Sequence, residues 1–272
     1  MKIGIFAKTF SRPTIEDLFQ AIAGYEIYST QFNLSCVGLE TLPRGISSEV
    51  VERITDAAEH ARVELCAMSG TFNMAHPDPA VRRASLTRFE VLGEITARLR
   101  LPVITLCTGT RDPDNMWKWH PENDSKEAWA DVVQSIEAAL IAAEKNDLVL
   151  AFEPESENIV NSANRARKLL NEMQNPRLRV VIDPANLISP GCKQKDVLDE
   201  IFTLLSDTIA IAHAKDRDDS FRACAAGKGI LDFEYYIRCL KHSGFNGPVI
   251  LHGLSEEDVP FSSDFLQRAL LA

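Results

Sequence analysis

The stretch LVLAFEPE (148–155) joins a continuous apolar run to two carboxylates that follow it closely. The arrangement of a largely apolar run ending in an ionisable side chain recurs in LRVVIDPAN (178–186), TIAIAHAKD (208–216) and PVILHG (248–253). Such runs are typical of strands in a parallel sheet that is buried on both faces. We therefore expect four parallel strands here, with the chemistry of the protein at their carboxyl ends.

Outward from these segments, strand and helix patterns alternate eight times along the 272 residues. The patterns predict strands at 2–6, 35–40, 63–69, 102–107, 148–153, 178–183, 208–214 and 248–253. Helices are expected to begin at Thr14 and at Ser47 or Ser48, and to cover 78–99, 126–144, 161–174, 196–205, 232–242 and 262–271. Eight β–α units favour a closed (β/α)8 barrel (TIM barrel), with residues 1–272 as a single domain. The alternative is a doubly wound sheet, but no GxGxxG follows the first predicted strand.

Composition limits the classes of function. The formal net charge is −10, which argues against nucleic acid as the main partner because the phosphate backbone would be repelled. The six cysteines form no CxxC pair, so they indicate reduced thiols. There is no apolar run of about 18 residues and no cationic leader before an apolar stretch. We expect a cytoplasmic protein that does not span a membrane.

The four predicted strand ends carry metal-ligand residue types, namely Glu153, Asp183, His213 and His252. In a barrel, the carboxyl ends of the strands meet at one mouth, so these side chains are expected to converge. Carboxylates with neutral imidazoles suit Mn²⁺, Zn²⁺, Co²⁺ or Fe²⁺, whereas Mg²⁺ is less natural with two histidines. For each residue taken alone a structural role remains open, such as an Asp-Pro turn or a paired carboxylate.

Other polar and aromatic side chains follow the same strands. Candidates for catalysis are Glu153, His252, Lys215 and Glu155, because each could move a proton or hold an anionic oxygen at the barrel mouth. A long polar loop at 108–125 follows the fourth strand, and such loops are usually functional. Candidates for substrate binding, for each of which a packing or solvated role is the alternative, are His76, Arg111, Trp117, His120 and Asn186.

The order Glu153, Asp183, His213 on successive strands, with the segments SGTFNMAHPDP, LCTGTRDPDNMW, AFEPE, IDPAN and HAKD, resembles the xylose isomerase-like TIM barrels. This is the superfamily of sugar phosphate isomerases and epimerases. The resemblance implies one divalent metal ion and a small carbohydrate substrate. It also implies ligands of the types Glu, Asp, His and Glu on strands five to eight. His252 stands where the second Glu is expected.

That departure matters for mechanism. The ketose 3-epimerases of this superfamily use their two metal-bound glutamates as paired acid and base, and this pairing cannot be transferred to a chain with His252. His252 could ligate the metal, act as a base, or leave Glu256 to reach in. The superfamily also contains endonuclease IV-type DNA-repair enzymes, which hold three metals with more histidines. Here Asn186 stands where a further His is expected, and the net charge disfavours DNA.

The sequence thus predicts a metal-dependent isomerase or epimerase of a sugar, sugar phosphate, polyol or keto acid, acting through an enediolate-type intermediate. One alternative is a metal-dependent lyase, dehydratase or decarboxylase on a similar substrate. A second is a barrel that binds a small ligand without catalysis. Association into a homo-oligomer through loops is left open.

Overall fold

The computed structural model describes residues 1–271 as a closed barrel of eight parallel strands surrounded by eight helices. The eight barrel strands are β1 (Lys2–Phe6), β2 (Ser29–Phe32), β3 (Glu64–Ser69), β4 (Val103–Cys107), β5 (Val149–Glu153), β6 (Leu178–Ile182), β7 (Ile209–Arg217) and β9 (Pro248–Leu251), and a short further strand, β8 (Ala223–Ala225), pairs with β7. The helices are α1 (Ile15–Gly24), α2 (Ser48–Ala61), α3 (Pro79–Arg98), α4 (Lys126–Lys145), α5 (Ala163–Met173), α6 (Gln194–Leu205), α7 (Phe233–His242) and α8 (Val259–Leu271). The predicted (β/α)8 barrel is confirmed.

Strand pairing closes the ring. β1 pairs with β2 and with β9, β9 pairs with β7, and β7 pairs with β6, all in parallel. An apolar cluster contributed only by strands fills part of the barrel interior, and a larger one lies between the strands and the helices. The interior cluster includes Ala67, Ala151, Val181 and Ile211. Because apolar side chains fill this part of the interior, the polar groups collect at the carboxyl ends of the strands.

Most helices begin at a residue whose side chain accepts a hydrogen bond from the backbone of the first turn. The predicted cap at Thr14 is confirmed, since its hydroxyl accepts from Asp17 N at 3.1 Å. Of the two predicted alternatives for α2, Ser47 is the cap and accepts from Val50 N at 3.4 Å. These caps satisfy donors that have no partner within the helix, and they set where each β–α loop ends.

Two features of the sheet differ from the prediction. The second strand is Ser29–Phe32, and the predicted strand at 35–40 overlaps a short 3₁₀ helix, Leu34–Val37. Every residue of β2 is buried although three of the four are polar, so an apolar pattern could not reveal it. In addition, β7 extends to Arg217 and pairs with β8 in an antiparallel hairpin that the sequence did not indicate.

Within residues 1–271, no helix is both long and apolar enough to cross a lipid bilayer.

Candidate active site

A polar cavity of about 280 Å³ opens at the carboxyl ends of the strands. Five of the residues that the sequence singled out line it, namely Trp117, Glu153, Glu155, Lys215 and His252. The cavity is also lined by side chains from the first four strands and the loops after them, among them Phe6, Lys8, Gln31, Asn33, Ser69, Thr71 and Thr105. Of the four predicted metal ligands, Glu153 and His252 line this cavity.

Three of the four predicted metal ligands form a compact set. Asp183, His213 and His252 each offer one ligand atom, and these atoms lie within 4.8 Å of one another. The rings of His213 and His252 are stacked, with centroids 4.7 Å apart and planes at 8°. The Nδ1 atoms of both rings are buried without a hydrogen-bond partner. Buried polar atoms are nearly always paired, so two unpaired nitrogens beside a carboxylate fit a site for a cation.

Asp183 is held in place by two different contacts. Its Oδ1 accepts from Ala185 N at 3.1 Å, which caps the 3₁₀ helix Pro184–Asn186. Its Oδ2 lies 2.8 Å from the Lys215 ammonium in a buried ion pair. Burial acts to raise the pKa of Asp183, but Lys215 and His213 together lower that pKa below its usual value. The carboxylate is therefore ionised, with one oxygen facing the two histidines.

Glu153 borders this set without belonging to it. Its Oε1 lies 3.4 Å from His213 Nδ1 and accepts a hydrogen bond from Asn186 Nδ2 at 2.6 Å. The Lys215 ammonium donates to Asn186 Oδ1 at 2.5 Å. Both ends of the Asn186 amide are thus used within the protein, which differs from the predicted role in substrate binding. Asn186 orients the Glu153 carboxylate, which lines the cavity.

The ionisable groups around the cavity have divergent pKa values. Burial, and then the charge of Glu153, raises the pKa of Glu155 to about 8. Burial also acts to raise the pKa of Glu153, but the charge of His213 lowers it below its usual value. Burial, followed by the charges of His213 and Lys215, lowers the pKa of His252 to about 3. Pairs of groups with separated pKa values are characteristic of acid–base sites.

Gln31 and Thr105 belong to the site but were not among the predicted residues. Gln31 is buried in β2, and its Oε1 lies 3.0 Å from His213 Nε2. Its Nε2 donates to Thr105 Oγ1 at 3.2 Å. Because the second strand was predicted at 35–40, Gln31 was not recognised as a strand residue near the site. A polar residue between the β-branched Thr30 and the aromatic Phe32 was the available signal, because such neighbours favour a strand.

Besides Asn186, three of the predicted substrate-binding residues do not line the cavity. Arg111 is buried, 2.7 Å from the Asp131 carboxylate on α4 and 3.1 Å from the carbonyl oxygen of Ala75. His76 Nδ1 accepts from Asp78 N at 3.1 Å, and its Nε2 lies 3.2 Å from the Pro113 carbonyl oxygen. His120 caps the 3₁₀ helix Pro121–Asp124. These three side chains make contacts within loops, between loops or with α4. Of the loop at 108–125, Trp117 lines the cavity.

Glu256 does not reach into the cavity either. Its carboxylate is paired with both terminal nitrogens of Arg12, in the loop after β1. The hydrogen bonds from Arg12, together with its positive charge, hold the pKa of Glu256 below its usual value. The alternative in which Glu256 replaces the missing glutamate therefore has no support in this arrangement.

Three asparagine side chains accept hydrogen bonds from the backbone at the start of the loop at 108–125. Asn73 Oδ1 accepts from Thr110 N at 3.0 Å, and Asn158 Oδ1 accepts from Gly109 N at 2.7 Å. Asn123 Oδ1 accepts from Arg111 N at 2.8 Å. These contacts hold residues 109–111 in one conformation. They support the loop from which Trp117 lines the cavity.

We predict that Gly109→Ala weakens this support. Gly109 has φ +72°, and an added Cβ would lie 2.1 Å from Asn73 Oδ1. A strained backbone of this kind costs about 1–3 kcal/mol, which urea denaturation would measure. The control is Gly45→Ala, where a Cβ meets no atom within 4 Å. Equal stability of the two variants would contradict the proposed support.

Comparison with known proteins gives a relative by sequence. Over 115 residues, which are 42% of this chain and 39% of the relative, the sequence is 29% identical to L-ribulose-5-phosphate 3-epimerase UlaE of Escherichia coli. The matching part thus spans about two fifths of the length of that curated relative.

Solved structures resemble the whole barrel. The apo structure of 3-keto-D-glucoside 4-epimerase YcjR from E. coli has a TM-score of 0.78 at 17% identity, with 98% of this chain and 99% of that chain covered. A structure of the IOLI protein with a bound zinc atom has a TM-score of 0.76 at 15% identity, covering 99% and 98% of the two chains. At these identities the likeness shows the fold.

The family assignment rests on the sequence itself. The family model described as xylose isomerase-like TIM barrel matches residues 23–269, which is most of the chain and includes β2 to β9. The resemblance inferred from the strand-end residues is thereby confirmed. The chain belongs to the xylose isomerase-like TIM barrel family.

Proposed function

We propose that the protein is a divalent-metal-dependent isomerase or epimerase that acts on a sugar, a sugar phosphate or a related polyol or keto acid. The observation that carries the proposal is the set formed by Asp183, His213 and His252, with two ring nitrogens that have no hydrogen-bond partner and with His252 lining the polar cavity. The relatives support the substrate class, because UlaE and YcjR are both named as epimerases of carbohydrates.

The donor set fits a divalent cation of the borderline type. One carboxylate oxygen and two imidazole nitrogens suit Zn²⁺, Mn²⁺, Co²⁺ or Fe²⁺ better than Mg²⁺. Asp183, His213 and His252 would hold the ion, with Glu153 as a fourth donor at their border. When bound, the ion supplies positive charge that polarises a carbonyl oxygen of the substrate. Zinc in the structure of the IOLI protein supports the same ion type.

The residues of the cavity can then divide the proton transfer. Glu153, ionised and oriented by Asn186, accepts the proton from the carbon next to the carbonyl. Glu155 lines the same cavity and is suited to give a proton back, because its raised pKa of about 8 keeps its carboxyl protonated at neutral pH. His252 is half-buried and neutral, and its buried, unpaired Nδ1 favours the ligand role over the alternative in which it acts as the base.

The test uses purified protein of known metal content. The protein is incubated in deuterated water with a panel of keto-sugars, sugar phosphates and sugar acids, before and after chelation and after metal is restored. We expect deuterium at the carbon next to the carbonyl, and a product with the atoms of the substrate rearranged, both dependent on metal. Loss of water or carbon dioxide from the substrate would instead support the lyase alternative, and no exchange on any substrate would support the non-catalytic alternative.

Glu153→Gln is expected to lower the rate of exchange about 10²–10⁴-fold, since a neutral amide cannot accept the proton. The amide keeps the size of the side chain, so the fold should persist. Glu157→Gln is the matched control, because Glu157 is exposed and lies outside the cavity lining. A Glu153→Gln protein with the exchange rate of the control would exclude Glu153 as the base.

A further inference from the structure

A chain of buried hydrogen bonds crosses the barrel behind His213. Gln31, 3% exposed, stands between His213 on β7 and Thr105 on β4. Its Oε1 lies 3.0 Å from His213 Nε2, and its Nε2 donates to Thr105 Oγ1 at 3.2 Å. The Thr105 hydroxyl in turn points to the carbonyl oxygen of Met68 at 3.5 Å. A buried amide is unfavourable unless its groups are paired, and here both ends of the Gln31 amide are used.

These contacts determine which ring nitrogen of His213 carries the proton. Nε2 has an acceptor in the Gln31 carbonyl oxygen. Nδ1 makes no hydrogen bond, and the carboxylate oxygens Glu153 Oε1 and Asp183 Oδ2 lie 3.4 and 3.8 Å from it. A proton on Nδ1 would leave a buried donor without a partner. In the neutral ring, which is the form that a cation would bind, the proton therefore belongs on Nε2, and the lone pair is on Nδ1, 3.8 Å from Asp183 Oδ2.

We propose that Gln31 is a positioning residue, which holds His213 in the Nε2–H tautomer and aims its Nδ1 lone pair at the cation site, with Thr105 fixing the orientation of the Gln31 amide. This inference rests on the proposed function, since it concerns the metal site of that function. It assigns a role to a side chain that lines the cavity but would touch neither ion nor reacting carbon. A hydrogen bond to the second ring nitrogen of a metal-binding histidine orients the ring and raises its basicity.

The size of the effect follows from such outer contacts. Removing the partner of a metal-binding histidine typically lowers metal affinity about 10–100-fold. Gln31→Met removes the acceptor and nearly preserves volume, so we expect a loss of zinc and cobalt affinity in that range. Gln31→Glu keeps an oxygen acceptor at the same position, so we expect it to restore tight binding. Packing alone would not distinguish these two variants.

The experiment measures zinc affinity by competition with a chromophoric chelator, and the absorption spectrum of the cobalt-loaded protein, for the wild type, Gln31→Met, Gln31→Glu and Thr105→Val. Gln20→Met, on the exposed face of α1, is the matched control and should bind as the wild type does. Far-UV circular dichroism and urea denaturation verify that each variant is folded. If Gln31→Met does not fold, the comparison of Thr105→Val with the wild type carries the test, with a smaller expected loss of affinity.

The outcomes separate this inference from the proposed function. A wild type that binds no divalent metal overturns both. A wild type that binds tightly, with Gln31→Met and Thr105→Val binding equally well, overturns the positioning role and leaves the proposed function in place. Weak binding by both Gln31 variants would also contradict the inference, because the glutamate retains the acceptor.

Discussion

Replacing Asp183 by asparagine is expected to lower the affinity for a divalent metal by at least about a hundredfold, and to remove the metal-dependent activity. Asp183 supplies the only carboxylate in the set with His213 and His252, among the residues the structure describes. Asparagine offers a neutral oxygen in place of the charged one, so the attraction for a cation is largely lost. Metal content after dialysis and titration calorimetry would measure the change.

Asparagine is a sharper test than alanine at this position. The Oδ1 atom of Asp183 caps a 3₁₀ helix through Ala185 N, and an amide oxygen can still accept that hydrogen bond. Asp183→Ala would lose the cap as well and should be less stable. Both variants leave the Lys215 ammonium without its carboxylate, but Asn186 Oδ1 still accepts from it. We therefore expect the far-UV circular dichroism of both to remain near that of the wild type.

The control for this prediction is Asp264→Asn on α8, whose side chain is 64% exposed and pairs with Arg268 on the same helix. It should bind metal and unfold as the wild type does. Wild-type metal affinity in Asp183→Asn would exclude Asp183 as a ligand. Global unfolding of that variant would instead assign Asp183 a purely structural role.

Asp216→Ala is expected to cause the largest loss of stability, about 3–5 kcal/mol in the free energy of unfolding. Asp216 is 1% exposed and follows Lys215 on β7. Its Oδ1 accepts from the backbone nitrogens of Arg217 and Leu231 at 2.8 and 2.9 Å. Its Oδ2 accepts from those of Gly227 and Gly229 at 3.1 and 3.0 Å. Four backbone donors would lose their acceptor at once.

The reason for so large an effect is the position of this carboxylate. It ties the segment after β8 back onto the end of β7, beside the pairing of Lys215 with Ala225. Asp216→Asn should not rescue the fold, because the amide can present an oxygen to one pair of donors but only N–H groups to the other. Urea denaturation of both variants would measure this.

The control is Asp219→Ala, an exposed residue in the same β7–β8 connection. Its free energy of unfolding should stay within about 0.5 kcal/mol of the wild type. Asp216→Ala as stable as this control would show that the four hydrogen bonds contribute little.

The barrel itself was readable from the sequence because its signal is local and repeated. Apolar runs such as LVLAF (148–152) each lie between helical patterns, and each must be buried from both sides. The first strand was predicted with the observed limits, and most others to within a few residues. The ligand types on the strands observed as β5, β6, β7 and β9 were equally visible, because an ionisable residue that ends a buried run needs an explanation.

The second strand shows where that reasoning stops. β2 reads STQF (29–32), so an apolar pattern favoured the following segment instead. Gln31 and its neighbour Thr30 are buried because they face partners from distant parts of the chain, namely His213 and the backbone of β1. The residues near Gln31 in the sequence give no indication of these partners.

The loop residues show the same limit for function. Arg111, His76 and Trp117 were equivalent candidates in the sequence, since all three are polar or aromatic residues after strands. The structure turns Arg111 toward Asp131 and His76 toward a loop carbonyl, and leaves Trp117 at the cavity. Asn186 was likewise placed near the site, but its amide is used by Glu153 and Lys215.

The sequence alone thus determined the number and type of the repeating units, the closed parallel barrel and the ionisable groups at its mouth. Hydrophobic periodicity and the residue type at a strand end are properties of neighbouring residues, so both can be recognised in the sequence alone. The tertiary structure decided which of those groups face one another, which nitrogens remain unpaired and which polar side chains serve only to hold others. Those depend on distances of a few ångströms between residues far apart in the chain, such as the pair Gln31 and His213, and only the closed ring brings them together.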